Sequence, residues 1–243
     1  MQEIKQAVIL CAGLGTRLRP LTDTMPKPVV PILGKPMLLW NIEQFKKYGV
    51  TDLKINLHYL PDVIKNYFGD GSKFGVKIEY SFEKEILGTA GALGRFSGYF
   101  DENFFFTYGD TISFVDYRAM ERRFFGLKNP IGMQRVERTE NYTDADVAEL
   151  DEDGRFIAVH PKPHTQVYPN AYRMRGVSIF NKRILNYVER GKYAEVGKDL
   201  IPTLIKSGEN FYGYECNEFS KGIDTIDKLK EVEGYIKKLQ LNG

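Results

Sequence analysis

Cysteine is nearly absent. The 243 residues contain two, Cys11 and Cys216, far apart and in no CxxC arrangement. This excludes a disulfide framework and a thiolate metal centre, and it suits a reducing compartment. Histidine is equally scarce: His58, His160 and His164 are too few and too scattered for an evident zinc site. Long apolar runs are missing. No window approaches the roughly 18–20 apolar residues of a membrane span, and the run Ala7–Ala12 is too short for a signal-peptide core. Charge of one sign is lacking too, since 34 Lys and Arg against 32 Asp and Glu leave a net +2. No polyanion-binding surface follows from that balance, so any anion site must be local. The expectation is a cytoplasmic protein without a nucleic-acid or membrane partner. Low-complexity stretches and solenoid-type repeats are also absent.

What is there is an ordinary globular composition, 42% hydrophobic and 27% charged. A chain of this length buries roughly 70–75% of its unfolded surface and suits one or two domains. The 16 Phe and 15 Tyr can serve a core or an interface, so a homo-oligomer is compatible with them.

The first half alternates short apolar runs with helical patterns. Ala7–Cys11, Lys54–Leu57, Val76–Tyr80 and Phe104–Tyr108 read as strands, near-continuously apolar as in a parallel sheet buried on both faces. Between them, a helix opening at Gly34-Lys35-Pro36 runs through Leu39, Ile42 and Phe45 and stops at Gly49. Others cover Pro61–Phe68 and Asp116–Phe125, stopped by Gly69 and Gly126. From about residue 130 the rhythm changes. Val147–Leu150 and Arg155–Val159 flank Asp151-Glu152-Asp153-Gly154, a hairpin signal. Arg173–Phe180 and Phe211–Glu215 read as further strands. The segment Thr225–Leu241 sets Ile226, Leu229, Val232, Ile236 and Leu239 on one helical face, with Thr225 as cap. No linker divides the chain, so residues 1–243 read as one domain, with an α/β lobe to about 128 and a mixed lobe with the C-terminal helix from about 129.

Three segments carry chemistry. Leu10-Cys11-Ala12-Gly13-Leu14-Gly15-Thr16-Arg17 follows the first strand directly. Two glycines one residue apart let consecutive N–H groups face one anion, and Arg17 adds a forked cation suited to phosphate. It is neither a dinucleotide loop, because Leu18 fills the third glycine position, nor a Walker loop, because no Gly-Lys-Ser/Thr follows. A plain strand-to-loop turn with a surface Arg is the other reading. Next, Met25-Pro26-Lys27-Pro28 places Lys27 between prolines that stiffen its backbone and aim its ammonium. Third, Thr107-Tyr108-Gly109-Asp110 ends a very apolar strand. A carboxylate there is placed either to hold a divalent cation or to cap the next helix.

Taken together, LCAGLGTRLRPLT and PKPVVPILGKPML resemble the signature of the sugar-1-phosphate nucleotidyltransferases, and the likeness extends through most of the chain. The resemblance implies a Rossmann-like, GT-A-like α/β fold. A mixed, mostly parallel sheet is flanked by helices, with a smaller mixed sugar-binding lobe. It implies a nucleoside triphosphate and a sugar 1-phosphate as partners and Mg²⁺ as cofactor. Catalysis would fall to Arg17, Lys27 and Asp110. Leu10, Ala12, Gly13, Gly15, Thr16, Arg17, Glu83 and Gly88 would bind the nucleotide. Here Glu83 stands at the family's base contact, and Gly88 belongs to Leu87-Gly88-Thr89-Ala90-Gly91. Thr89, Lys162, Arg175 and Gly176 would bind the sugar phosphate, and Asp110 with Asp224 would hold the metal.

The match departs from the family pattern in three places. His160-Pro161-Lys162-Pro163-His164 has Pro161 where the family has Glu, and its two histidines read better as a partly exposed, non-ligand pair than as metal ligands. Around Gly176, Arg175 either faces an anionic substrate or is a solvated strand residue. Gly222 takes the usual Asp position, with Asp224 two residues on, an arrangement like the Met-Asp-Thr of glucose-1-phosphate cytidylyltransferases. That feature and Tyr108-Gly109-Asp110 favour CTP. GTP or UTP with a mannose, heptose or amino-sugar phosphate is the alternative, and a non-catalytic nucleotide-sugar sensor is the rival of another class. A nucleotide-cofactor oxidoreductase is disfavoured by the missing third glycine.

Overall fold

The computed structural model describes residues 3–139, 145–164, 166–168 and 171–241. Strand β1 (Gln6–Leu10) is followed by a two-residue hairpin, β2 (Pro31–Ile32) and β3 (Lys35–Pro36), and by helix α1 (Met37–Lys47). Then come β4 (Asp52–Leu57), α2 (Pro61–Phe68), β5 (Lys77–Phe82), the short α3 (Gly88–Gly91), β6 (Asn103–Tyr108), β7 (Thr111–Ser113) and α4 (Tyr117–Phe125). The second half contributes β8 (Pro130–Arg138), β9 (Val147–Leu150), β10 (Phe156–His160), β11 (Tyr172–Asn181), α5 (Ile201–Lys206), β12 (Asn210–Glu215), β13 (Ser220–Gly222) and α6 (Ile226–Leu241).

Nine strands of the described residues form one mixed sheet. Its centre, β5-β4-β1-β6, is parallel. β11 then joins β6 antiparallel, and β8, β9, β10 and β12 build out from it. The sheet therefore runs unbroken across the boundary near residue 128. The apolar strands are buried on both faces, as their composition requires. Along β6, Phe105 enters one core with Phe45, Phe68 and Tyr117, while Phe104 and Phe106 enter the other with Phe180 and Phe211. Each of these rings, fully buried, contributes about 1.5–3 kcal/mol.

The predicted elements of the first half are present, with small shifts. The helix expected from Gly34 starts at Met37, because Lys35-Pro36 pairs as β3 and Pro36 caps the helix. Asp116 caps α4 by accepting from the Ala119 N–H at 2.9 Å. The hairpin over Asp151–Gly154 forms, with β9 and β10 antiparallel. On α6 only part of the expected face is covered: Val232 and Ile236 are buried, whereas Ile226 and Leu239 are exposed because the helix overhangs the core at both ends. Strand β8, helix α5 and the antiparallel β7–β13 pair had no counterpart in the sequence reading. Among the described residues no helix is long and apolar enough to cross a membrane.

Candidate active site

Strands β1, β4, β5 and β6 end at one level, since Leu10 pairs with both Asn56 and Tyr108, and Leu57 with Phe82. The loops leaving those ends open together on one side of the sheet, where α/β folds hold their ligands. Two bays share that rim. One, of about 190 Å³, is bounded by Ala12, Gly13, Lys27, Glu83 and Gly88. The other, of about 300 Å³, is bounded by Gln134, Asp146, Lys162, Arg175 and Gly176. Tyr108 and Asp110 line both, so the bays meet at the end of β6.

The two glycines after β1 differ. Gly15 has φ +66° and packs closely: a Cβ there would lie 3.1 Å from Thr22 Cγ2 and 3.2 Å from Lys27 Cβ. The Thr22 hydroxyl closes the turn by donating to the Gly15 carbonyl at 2.8 Å. Gly13 instead faces open space, with nothing within 4 Å of a Cβ position. The turn thus folds back on Lys27 while the backbone at Gly13 stays accessible from the first bay.

Two ion pairs cross the rim. Lys27, nearly buried between its prolines, sets its Nζ 2.5 Å from Asp110 Oδ2. Arg17, whose side chain is 70% exposed, sets Nη1 2.5 Å from Asp224 Oδ2. Lys228 holds the other Asp224 oxygen at 2.7 Å. Asp224 reaches this place because β13 pairs with β7, which brings the Ile223 N–H to the Asp110 carbonyl at 2.8 Å. Burial pushes the Asp224 carboxyl up, but the Lys228 hydrogen bond and the Lys228, Arg17 and Lys27 charges outweigh it and hold the group below its ordinary 3.8. A lowered folded value adds stability that is fully present above 3.8 and is lost as pH falls through the folded value. The stability gap between the wild type and Asp224→Asn is therefore expected to stay level from neutral pH to about pH 5 and to close in stronger acid. Urea melts across that range check it, and a gap that widens on acidification would contradict the assignment.

At the far end of the first bay the Glu83 carboxylate is buried and locked. Asn56 Nδ2 donates to one oxygen at 2.8 Å, and the Leu87 N–H donates to the other at 3.0 Å. Asn56 in turn accepts from the Cys11 N–H at 2.7 Å, which ties this wall to the glycine turn. Cys11 is no nucleophile here, because burial and then the Asp110 carboxylate push its thiol far above the ordinary range. Thr89 donates its hydroxyl to Glu195 at 2.6 Å and accepts from the Val196 N–H at 2.8 Å, pinning α3 to the segment before α5.

In the second bay, the Lys162 N–H donates to Asp146 Oδ1 at 3.0 Å. Arg175 is not the solvated strand residue that its sequence allowed: it is partly buried, and its Nε donates to Glu137 at 2.6 Å. The two histidines are structural. His160 lies 2.6 Å from Glu149 and stacks on Tyr168, while His164 lies 2.7 Å from the Ala145 carbonyl. No group of three or more His, Cys, Asp or Glu able to hold a metal occurs among the described residues.

Of the residues singled out from sequence, Leu10, Ala12, Gly13, Lys27, Glu83, Gly88, Thr89 and Asp110 line the first bay, and Asp110, Lys162, Arg175 and Gly176 the second. Gly15, Thr16, Arg17 and Asp224 lie outside both walls, with Arg17 and Asp224 joined to each other. Sequence reasoning passed over Asn56, Glu195, Gln134 and Asp146. The polar Asn56 between the apolar Ile55 and Leu57 was the one local signal available for any of them.

A model of the nucleotidyl transferase family matches residues 6–225. The chain is 34% identical over 257 residues to a UTP–glucose-1-phosphate uridylyltransferase of Synechocystis sp., covering 98% of this chain and 66% of that protein. It is 30% identical over 210 residues to a mannose-1-phosphate guanylyltransferase of Mycobacterium tuberculosis, covering 86% and 58%. The chain thus matches between 58% and 66% of the length of these curated relatives. The structure of the inositol-1-phosphate CTP transferase from T. maritima superposes with a TM-score of 0.80 at 19% identity, covering 98% of this chain and 97% of that one, a likeness of fold.

Proposed function

Because the chain belongs to the nucleotidyl transferase family, we propose that it joins a nucleoside triphosphate to a sugar 1-phosphate. A phosphate oxygen of the sugar phosphate bonds to the α-phosphorus, the bond to the β-phosphate oxygen breaks, and pyrophosphate leaves. The observation that carries this reading is the meeting of two bays at Asp110 and Tyr108, one for each reactant. On it, the lobe up to about residue 128 serves the triphosphate and the lobe beyond it the sugar. The attacking oxygen is already anionic, so no general base is needed. The protein's task is to align two anions and neutralise their charge.

The Gly13 backbone faces the triphosphate with Arg17 beside it, and Lys27 stands where the two reactants meet. Lys162 steers the sugar phosphate from the opposite wall, with Arg175 and Gly176 along it. Asp110 and Asp224, brought together by the β7–β13 pair, fit Mg²⁺, which takes one or two carboxylates with phosphate oxygens and water. When bound, the ion adds positive charge at the phosphates. Both carboxylates are otherwise engaged by Lys27 and Arg17, the same cations that the phosphates would draw. Two free cysteines suit a cytoplasmic setting.

The base is a finer matter, since the relatives are named for different nucleotides. Each Glu83 carboxyl oxygen already accepts one bond, from Asn56 or from Leu87, and its remaining lone pair toward the bay can only accept. Guanine presents N1–H and N2–H₂ side by side to such a group, whereas cytosine offers N4–H₂ beside two acceptors and uracil a single N–H between carbonyls. The pocket chemistry therefore favours GTP over the CTP suggested by the Asp224-Thr225 feature. Pyrophosphate release with GTP, CTP, UTP, dTTP and ATP against a panel of sugar 1-phosphates tests both levels. GTP is expected to exceed CTP by about 10-fold or more in kcat/KM, the discrimination of one paired contact. Preference for UTP would overturn the base assignment, and tight binding with no pyrophosphate release would make the protein a sensor instead.

A further inference from the structure

The second bay includes a residue whose buried acceptor no donor among the described residues meets. Gln134, on β8, is 4% exposed and lines the bay. Its Nε2 donates to the Arg175 carbonyl at 2.7 Å. That bond falls where the β8–β11 ladder shifts register between Met174 and Ser178, an irregularity of the kind that re-aims side chains beside ligand sites. The bond also fixes the amide, because the flipped rotamer would set oxygen against carbonyl oxygen. With Nε2 committed, Oε1 of this bay-lining residue is buried and has no hydrogen-bond partner among the described residues. A buried acceptor left unmade is costly in any protein, and such groups in native structures mark a site for a missing donor.

The wall carries the donors Thr111, Ser220 and Lys162, but none of them bonds Gln134 Oε1. The Arg175 guanidinium is turned onto Glu137, and Asp146, across the bay, is a further acceptor. A bay of about 300 Å³ is at the lower end of ordinary small-ligand pockets. Of the groups that a sugar 1-phosphate brings to it, only hydroxyls donate. Resting on the reading given under Proposed function, we propose that Gln134 Oε1 accepts a hydrogen bond from one sugar hydroxyl and so selects the sugar at that carbon. The same acceptor disfavours a substrate whose group at that carbon only accepts.

The test compares the hexose 1-phosphate that the wild type turns over fastest with its monodeoxy derivatives at carbons 2, 3, 4 and 6. One derivative is expected to lose about 10-fold or more in kcat/KM, the consequence of leaving a built polar contact unpaired. In Gln134→Met that penalty should vanish at this carbon alone while the penalties at other carbons persist. A merely structural role would lower all substrates equally. Gln134→Leu also removes the acceptor and should abolish the same single penalty, so it carries the test if the Met variant does not fold. The proposal is overturned if no deoxy derivative is penalised, or if the Met variant loses activity uniformly. Absence of turnover with every sugar phosphate would instead fail at the first step, and would remove the parent reading along with this one.

Discussion

Lys27→Ala is expected to lower kcat/KM by about 100-fold or more, the scale of removing one preorganised charged donor. Its ammonium is nearly buried, held at 2.5 Å from Asp110 and stiffened by flanking prolines, so in the proposed reaction it would need little reorganisation to reach the reactants. The alanine variant also leaves Asp110 at the junction of the two bays without its cation. Arginine should not rescue it: the Lys27 stem packs against Gly15, and a planar fork cannot replace a compact point charge there. Arg17→Ala is expected to lose at least ~2 kcal/mol of transition-state stabilisation as well, in kcat more than in fold stability, because the side chain is 70% exposed. Steady-state pyrophosphate release, with thermal melts as a folding control, checks both. Near-wild-type turnover in either variant would remove that residue from the machinery.

Gly109→Ala is expected to damage stability and turnover together. A Cβ at this position would lie 2.5 Å from Cys11 Sγ and 3.0 Å from the Leu10 carbonyl oxygen, which itself accepts from the Gly109 N–H at 2.8 Å. Neither neighbour has room to retreat, since Cys11 is buried and Leu10 ends the central strand. Overpacking of this kind costs about 1–3 kcal/mol, or a melting-point drop of roughly 2–12 °C for a chain of this size. The next residue is Asp110, so a shift that relieves the clash also moves the carboxylate at which the bays meet. Adding Cys11→Ala to Gly109→Ala removes the closer of the two contacts and should recover part of the melting temperature. An unchanged melt and unchanged kcat in Gly109→Ala would show that β6 accommodates the methyl group and that the close approach is not required.

Much of this architecture was legible in the chain. The apolar runs at Ala7, Lys54, Val76 and Phe104, the helix stops at Gly49, Gly69 and Gly126, and the turn at Asp151–Gly154 are written in ten residues or fewer. Those signals are local: side-chain periodicity, a positive-φ turn, a cap. They suffice to put Gly13, Lys27, Glu83 and Asp110 on loops at the same ends of parallel strands, and hence on one rim. The long motif around Gly13 and Lys27 carries the family resemblance within the sequence itself.

Other features depended on packing between distant segments. Nothing near Thr111 or Ser220 announces that three-residue strands pair there, yet that pairing carries Asp224 to Arg17, 207 residues away in sequence. Gly132, Gln134 and Arg135 break the apolar pattern of strand β8, and only the fold brings Gln134 Nε2 to the Arg175 carbonyl on β11 and Arg135 Nη2 to the carbonyls of Cys216 and Glu218. In sequence Arg175 reads either as facing an anionic substrate or as a solvated strand residue, and only the fold sets Glu137 beside it. Local propensity and turn chemistry are properties of adjacent residues and can be read along the chain. Which buried polar group meets which partner is decided only when the sheet closes, since desolvation penalises every unmatched arrangement and leaves the matched one.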